Sequence, residues 1–505
     1  MLAQEIIHGI KKPKEGDNVV IKLNMAKAYD RVSWAYTYLV MRKMGFSVFF
    51  IEMIWRIMSN NWMLNKLYLN QNYQGFHMEP RGPQINHLSF ADDVIIFTSG
   101  QRTSIQLIMK TLTTYEQVSN QLINRDKSHF MLHVDSPQGI AEMLKEEAGF
   151  TQKDNPINYL GCPLYIGGQR NIYYSHLVDK IAKRISGWQA TMLNFGGRLT
   201  IVKHVLHSIP IHTMAAISPP KTTLHYIKRL TADLFWGREK DKKKYHWASW
   251  ENITFPYDEG GLGVRHLNDI CNSLQYKQWW HFRSTNSLWG QFLKAKYCHR
   301  ANPVVKKWDT GQSLVWKYMS NNKSQVEEHI IWKINSGTCS FWWDNWLGEG
   351  PLAHHTNESN RLNNNTISQY MLNGGWNETM VRQHAPPLMI PKILSIQFQF
   401  QEGVADQPIW KLTDNGKFTC ASTWENIITK RPKIKLYSYI WHRHIPFKVS
   451  FLLWRALRRK LPTNDKTTTF GVPLVKCSCC IKAGWDTIDH IFVTGHFANH
   501  FWQYH

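Results

Sequence analysis

VVIKLNMAKAYDRVSW (residues 19–34) and FADDVIIF (residues 90–97) decide how the first part of this 505-residue chain is read. Val19–Asn24 is a short run rich in β-branched residues, which predicts a buried strand leading into a polar helix start. FADDVIIF places Asp92 and Asp93 at a tight turn between two apolar strands. Side chains alternate across a strand, so the turn projects both carboxylates where nothing covers them. Two carboxylates held close repel each other and favour a divalent cation, with magnesium (Mg2+) the hard, oxygen-seeking choice. Aspartate is also an ordinary turn residue, so the pair alone does not define a catalytic site.

Ala35–Met63 keeps apolar residues at helical spacing with a break near Gly45, predicting two helices, and residues 101–120 read as another. This mixture predicts an α+β unit over residues 1–135. From about residue 170 to 300 the pattern is mostly helical, broken at Pro219–Pro220 and at Gly260–Gly261, and 136–300 is taken as one helical block. Within it Trp188, Leu193, Leu199, Ile201, Val202 and Val205 recur at helical spacing, and most of them read as core. Gly196–Gly197 is expected to cap one helix and let Arg198 start the next. Residues 301–407 lack periodicity, hold the Asn-rich stretch 357–365 and clustered prolines, and read as a loosely packed linker region. Residues 408–505 read as a small unit with a strand-like opening and a helix around Val449–Arg459.

Lys and Arg number 60 against 37 Asp and Glu, a net charge of +23. The first 150 residues hold 16 basic and 14 acidic side chains, so nearly all of the excess lies downstream. Such an excess suits a polyanionic partner, RNA or DNA. The run REKDKKK offers Arg238, Lys242, Lys243 and Lys244 to phosphates, and Arg198 joins them as a nucleic-acid-binding candidate; a solvated loop is the plainer reading of the run. At 43% hydrophobic and 13% aromatic residues, the composition excludes disordered and collagen-like classes. No membrane span is expected, because no run reaches about 18 uncharged apolar residues. The opening MLAQEIIHGIKKPKEG has no apolar signal core, which predicts an intracellular chain. No protein partner is identifiable.

Five of the eight cysteines are scattered singly, and three cluster as Cys477, Cys479 and Cys480. Cys477-x2-Cys480 followed by His490 and His496 is a spacing that can hold zinc (Zn2+) tetrahedrally through soft thiolates and imidazoles. A metal-free helical pair is the alternative.

The two opening stretches together resemble the palm of plant LINE-type (non-LTR) retrotransposon reverse transcriptases, in which K-[LV]-D-[ML]-x-K-A-[FY]-D-x-V-x-W precedes F-A-D-D. NQLINRDKSHF (120–130), INYLGCPLYIGG (157–168), ISGWQATMLNFGGRLTIVKHVL (185–206), DLFWG (233–237), EGGLGVRHL (259–267) and LWGQFLKAKY (288–297) resemble further family segments in the family's order. The segment 440–502 resembles the zinc-binding domain of the same proteins. The resemblance implies a truncated palm at 1–135, a helical thumb or connector at 136–300 and the zinc-binding domain at 408–505. It implies RNA-directed DNA polymerisation with two metal ions on the positions of Asn24, Asp92 and Asp93, Lys127 near the active site, and nuclear residence.

Four departures qualify that expectation. The family's first metal-binding aspartate is Asn24 here, a neutral amide. The glycine-rich segment between the two palm motifs is reduced to Arg81–Gly82. Gly495 stands where the zinc pattern has its last cysteine, leaving His496 as a substitute. Set against the family, the chain is expected to lack the fingers before residue 1 and a ribonuclease H domain after His505. The sequence therefore predicts family membership with an impaired polymerase site, and alternatively a non-catalytic nucleic-acid-binding remnant or a product without a selected role.

Overall fold

Val19, Val20, Ile21 and Leu23 are fully buried, as are Val94 to Phe97, because both runs form neighbouring strands inside one sheet. In the computed structural model β1 (Asn18–Asn24), β2 (His87–Phe90), β3 (Asp93–Ser99), β4 (His129–Met131) and β5 (Thr151–Gln152) pair in the order β2-β3-β1-β4-β5. All pairs are antiparallel except β4 with β5. The structure describes every residue except 12–16, 25–33, 59–60, 91–92, 120–121, 188–192, 240–241, 244, 300, 357–363, 373, 398–400, 402, 474, 478–479, 481–484 and 505.

Alternation sorts β1 and β3 into two faces. Val19, Ile21, Leu23, Val94 and Ile96 pack with Ile105, Ile108 and Leu112 of the helix Arg102–Ser119 and with Leu144 of the helix Gln138–Ala148. Leu23 pairs with Val94 and Asn24 with Asp93. Lys22, Asn24 and Asp93 therefore share the opposite face, at the end of the sheet where the two central strands finish. The expected helices upstream are Trp34–Lys43 and Val48–Met58, with Gly45 between them in the left-handed region at φ 83°.

The chain forms two compact units. The first comprises Met1–Tyr173, Ala215–Ser218 and Leu274–Thr423; the second comprises Tyr174–Met214, Pro219–Ser273 and Trp424–His505. These boundaries cut across the four consecutive blocks expected from the sequence. The expected linker region is not loosely packed: within the first unit it shares a core with the residues on either side of it. Trp316, Ile330, Phe341, Ile367, Tyr370 and Trp410 are fully buried, and strand Ile330–Lys333 pairs with strand Gln407–Trp410. Asp406 accepts backbone N–H bonds from Asn335, Gly337 and Cys339, fixing a turn that carries no periodic signal.

In the second unit Gly196 and Gly197 lie inside the first turn of the helix Phe195–Ile201, not between two helices. Asn194 caps that helix, its side chain accepting from the Gly197 N–H at 2.9 Å. Glycine is required there by proximity: a methyl group on Gly196 would come within 2.9 Å of the Phe447 ring. Of the expected core, Leu199 and Val202 are buried, whereas Val205 is 36% exposed, because the helix passes into a π-turn over Val202–Leu206 that rotates the face.

Candidate active and metal sites

Asn24 and Asp93 face each other as a directly paired couple at the open end of β1 and β3. A cation already occupies the Asp93 carboxylate: Lys22 Nζ lies 2.9 Å from Oδ1, and both side chains are about four-fifths buried. The Leu160 N–H donates to Asp93 Oδ2 at 3.4 Å. Beside it the Tyr159 hydroxyl donates to the Leu88 carbonyl at 3.3 Å. Burial, and then the charge of Asp93, push the Tyr159 phenol up to about 12.

A loop clamps the backbone of Asn24. Its N–H donates to Ser128 Oγ at 3.1 Å, its carbonyl accepts from the Asn124 N–H at 2.8 Å, and Ser128 Oγ donates to the Asn124 carbonyl at 2.7 Å. Lys127 rides on this loop, in the short helix Arg125–Lys127 capped by the Asn124 side chain, and is exposed. The structure thus brings Asn24, Asp93 and the Lys127 loop together. Asp92 lies outside the described residues. Lys22 and Leu160 escaped sequence reasoning. The i, i+2 spacing of Lys22 and Asn24 on one strand face is the signal that could have found the lysine.

The donor set bears on magnesium. Among the described residues it consists of one carboxylate already paired with an ammonium and one neutral amide. A magnesium pair is held by several anionic oxygens, of which Asp93 supplies one carboxylate among the described residues, while Asp92 lies outside them.

At the other end of the chain, one ligand atom each from Cys477, Cys480 and His490 lie within 4.8 Å of one another. His490 Nε2 is buried without a hydrogen-bond partner, as a ring nitrogen awaiting a metal would be. The donors, two thiols and an imidazole, fit zinc. Exposed His496 opens the next helix and stands outside the group. Gly495 closes the π-turn His490–Thr494, its N–H donating to the His490 carbonyl at 2.8 Å, and the chain leaves the cluster there. A methyl group on Gly495 would lie 3.2 Å from His490 Nε2, so the position beside the cluster is a bare backbone.

The phosphate candidates fall in the second unit. Arg238–Glu239 and Lys242–Lys243 form two strands of a small antiparallel hairpin, and Lys244 is outside the described residues. Arg198 is half-buried with its guanidinium 5.8 Å from the Phe195 ring, and burial lowers its pKa.

The first unit holds a five-stranded sheet with a paired Asn24–Asp93 end, and the second holds the Cys–Cys–His group. Residues 2–164 match the family described as reverse transcriptase (RNA-dependent DNA polymerase), and residues 418–502 match the family described as zinc-binding in reverse transcriptase. The chain therefore has an α+β fold with a reverse-transcriptase palm region and a C-terminal reverse-transcriptase zinc-binding region. It is also similar to an Arabidopsis thaliana protein named "Putative ribonuclease H protein", with 26% identity over 332 residues, 63% of this chain and 53% of that protein. The chain spans about half the length of this curated relative. No helix among the described residues is long and apolar enough to cross a membrane.

Proposed function

We propose that this chain is a nucleic-acid-binding protein of plant LINE-type, non-LTR retrotransposon descent whose polymerase site has lost two-metal chemistry. The observation that carries the reading is the Lys22 ammonium on Asp93, directly across from an amide at Asn24. Two-metal polymerisation needs anionic oxygens to hold cations against the primer oxygen and the phosphate it attacks. Here the carboxylate's charge is spent inside the protein. RNA or DNA binding then falls to the basic residues downstream of the palm, with Arg198, Arg238, Lys242, Lys243 and Lys244 among them. Cys477, Cys480 and His490 would hold zinc and fasten the C-terminal segment. The truncated palm, helical thumb and nuclear residence implied by the resemblance belong to the same reading.

Primer extension on an RNA template with Mg2+ or Mn2+ tests the catalytic half. We expect no extension by the unaltered chain; extension that Asp92→Ala abolishes would sink this reading. A salt titration tests the binding half. With about six phosphate contacts, affinity for RNA should fall roughly a thousandfold between about 50 and 200 mM salt, and an affinity indifferent to salt counts against it.

A further inference from the structure

The helix Lys221–Trp236 begins directly after Pro219–Pro220, and the helix Leu267–Ser284 begins a few residues after the Gly260–Gly261 turn. Residues from the first turns of both line one cavity of about 400 Å³ in the second unit. Lys221, His225 and Lys228 follow one another at spacings of four and three, so they share one helix face. His266 lies directly before the second helix. Leu224 and Trp250, both buried, provide the apolar lining. No carboxylate lines the cavity among the described residues; Glu251 pairs with Lys228 at 2.5 Å and itself lies outside the lining.

The cavity therefore combines the Lys221 ammonium, a Lys228 ammonium shared with Glu251, two imidazoles, one of them under the influence of Asp269, and the positive ends of two helices with an apolar wall. That combination suits a ligand with an anionic group at one end and a flat, weakly polar body at the other. Its volume falls within the roughly 300–1,000 Å³ of small-molecule sites, enough for one nucleotide and far too small for a duplex. We propose that this cavity binds a nucleoside phosphate, the phosphate on Lys221 and Lys228 and the base against Leu224 and Trp250. The nucleic-acid-binding reading enters only in choosing a nucleotide as the anion. The ligand is either a free mononucleotide or one unit of a strand, and the two share this chemistry.

The test uses the full chain and two probes: equilibrium dialysis of labelled uridine monophosphate, and fluorescence anisotropy of a short 3′-labelled oligouridylate. Lys221→Gln combined with Lys228→Gln should weaken binding about tenfold, while Lys221→Arg should retain it, because phosphate contacts need the charge. Thermal melts check that each variant folds, as expected for side chains that reach solvent. Loss of mononucleotide binding in the double variant supports a site for the free ligand. Loss of strand binding alone supports a site for a backbone unit. Undiminished binding of both probes by the double variant overturns the pocket and leaves nucleic-acid binding intact. Mononucleotide binding without any strand binding by the unaltered chain overturns the nucleic-acid reading and leaves the pocket standing. If the unaltered chain binds neither probe, both fall.

Discussion

At Gly261 a single methyl group would sit 1.9 Å from the Phe255 carbonyl oxygen and 2.7 Å from its Cα. Backbone, not a movable side chain, stands in the way, and the Gly261 N–H is already committed to the Pro256 carbonyl. Gly261→Ala should therefore destabilise the second unit by about 3 kcal/mol, read as a lowered denaturant midpoint, while Gly139→Ala, with open space around it, should be nearly neutral. In the sequence, only the family resemblance brought Asn24 and Asp93 together; their direct pairing comes from the register of β1 against β3. The ion pair with Lys22 was not legible either, because it arises from cross-strand register, which a linear reading of separate motifs does not contain.

Among elements, the helices and strands with a clean period were the readable ones: β1, β3 and the helix Arg102–Ser119 fall where alternation and helical spacing put them. Residues 301–407 defeated that reading because their core is held by aromatic side chains on loops and by buried charge. Phe341 stacks on Tyr370 with centroids 3.7 Å apart, and neither belongs to a periodic run. Arg283 joins this core from the helix Leu267–Ser284. Its Nε donates to Glu327 Oε1 at 2.9 Å, it also pairs with Asp344, and Trp279 Nε1 donates to the same Glu327 oxygen at 2.7 Å. Replacing Arg283 with Met strands two buried carboxylates and should cost about 3–5 kcal/mol at neutral pH. Burial already raises the Glu327 pKa, so part of that loss should return in mild acid as Glu327 takes up a proton, which paired melts at two pH values would reveal. At the other end of the chain, Cys480→Ser removes a zinc donor. Bound zinc by elemental analysis should drop from about one per chain towards zero, whereas His496→Ala should leave it unchanged, since His496 is outside the cluster.

For the molecule as a whole, acid should act on both compact units at once. Burial holds the His87 imidazole, in the first unit, at about 4. Burial, and then the charge of His266, hold His207 in the second unit at about 4 as well. Protonation therefore favours the unfolded chain, where histidine titrates near its ordinary value. The stability these two groups provide is complete above about pH 6.5 and is lost as pH falls towards 4, about 2 kcal/mol from each by pH 5. Unfolding free energy measured across that window should slope downward in acid. The double variant His87→Gln, His207→Gln should flatten the slope; an equally steep slope would rule these histidines out as its source.

Glu5 is fully buried, held by Lys296 Nζ at 3.1 Å, by the Tyr297 hydroxyl at 2.8 Å and by Ser313. During synthesis the Glu5 carboxylate is made well before its partners, with 308 residues separating it from Ser313. At roughly 5–20 residues per second, the segment around Glu5 waits on the order of 15–60 s for the residues that cover it. The first unit closes only after Thr423 has been made, with much of the second unit's chain already synthesised in between. The six-residue segment Leu2–Ile7, too short to hold a helix alone in water, thus takes its buried helical form only once residues 296–313 are there to cover Glu5.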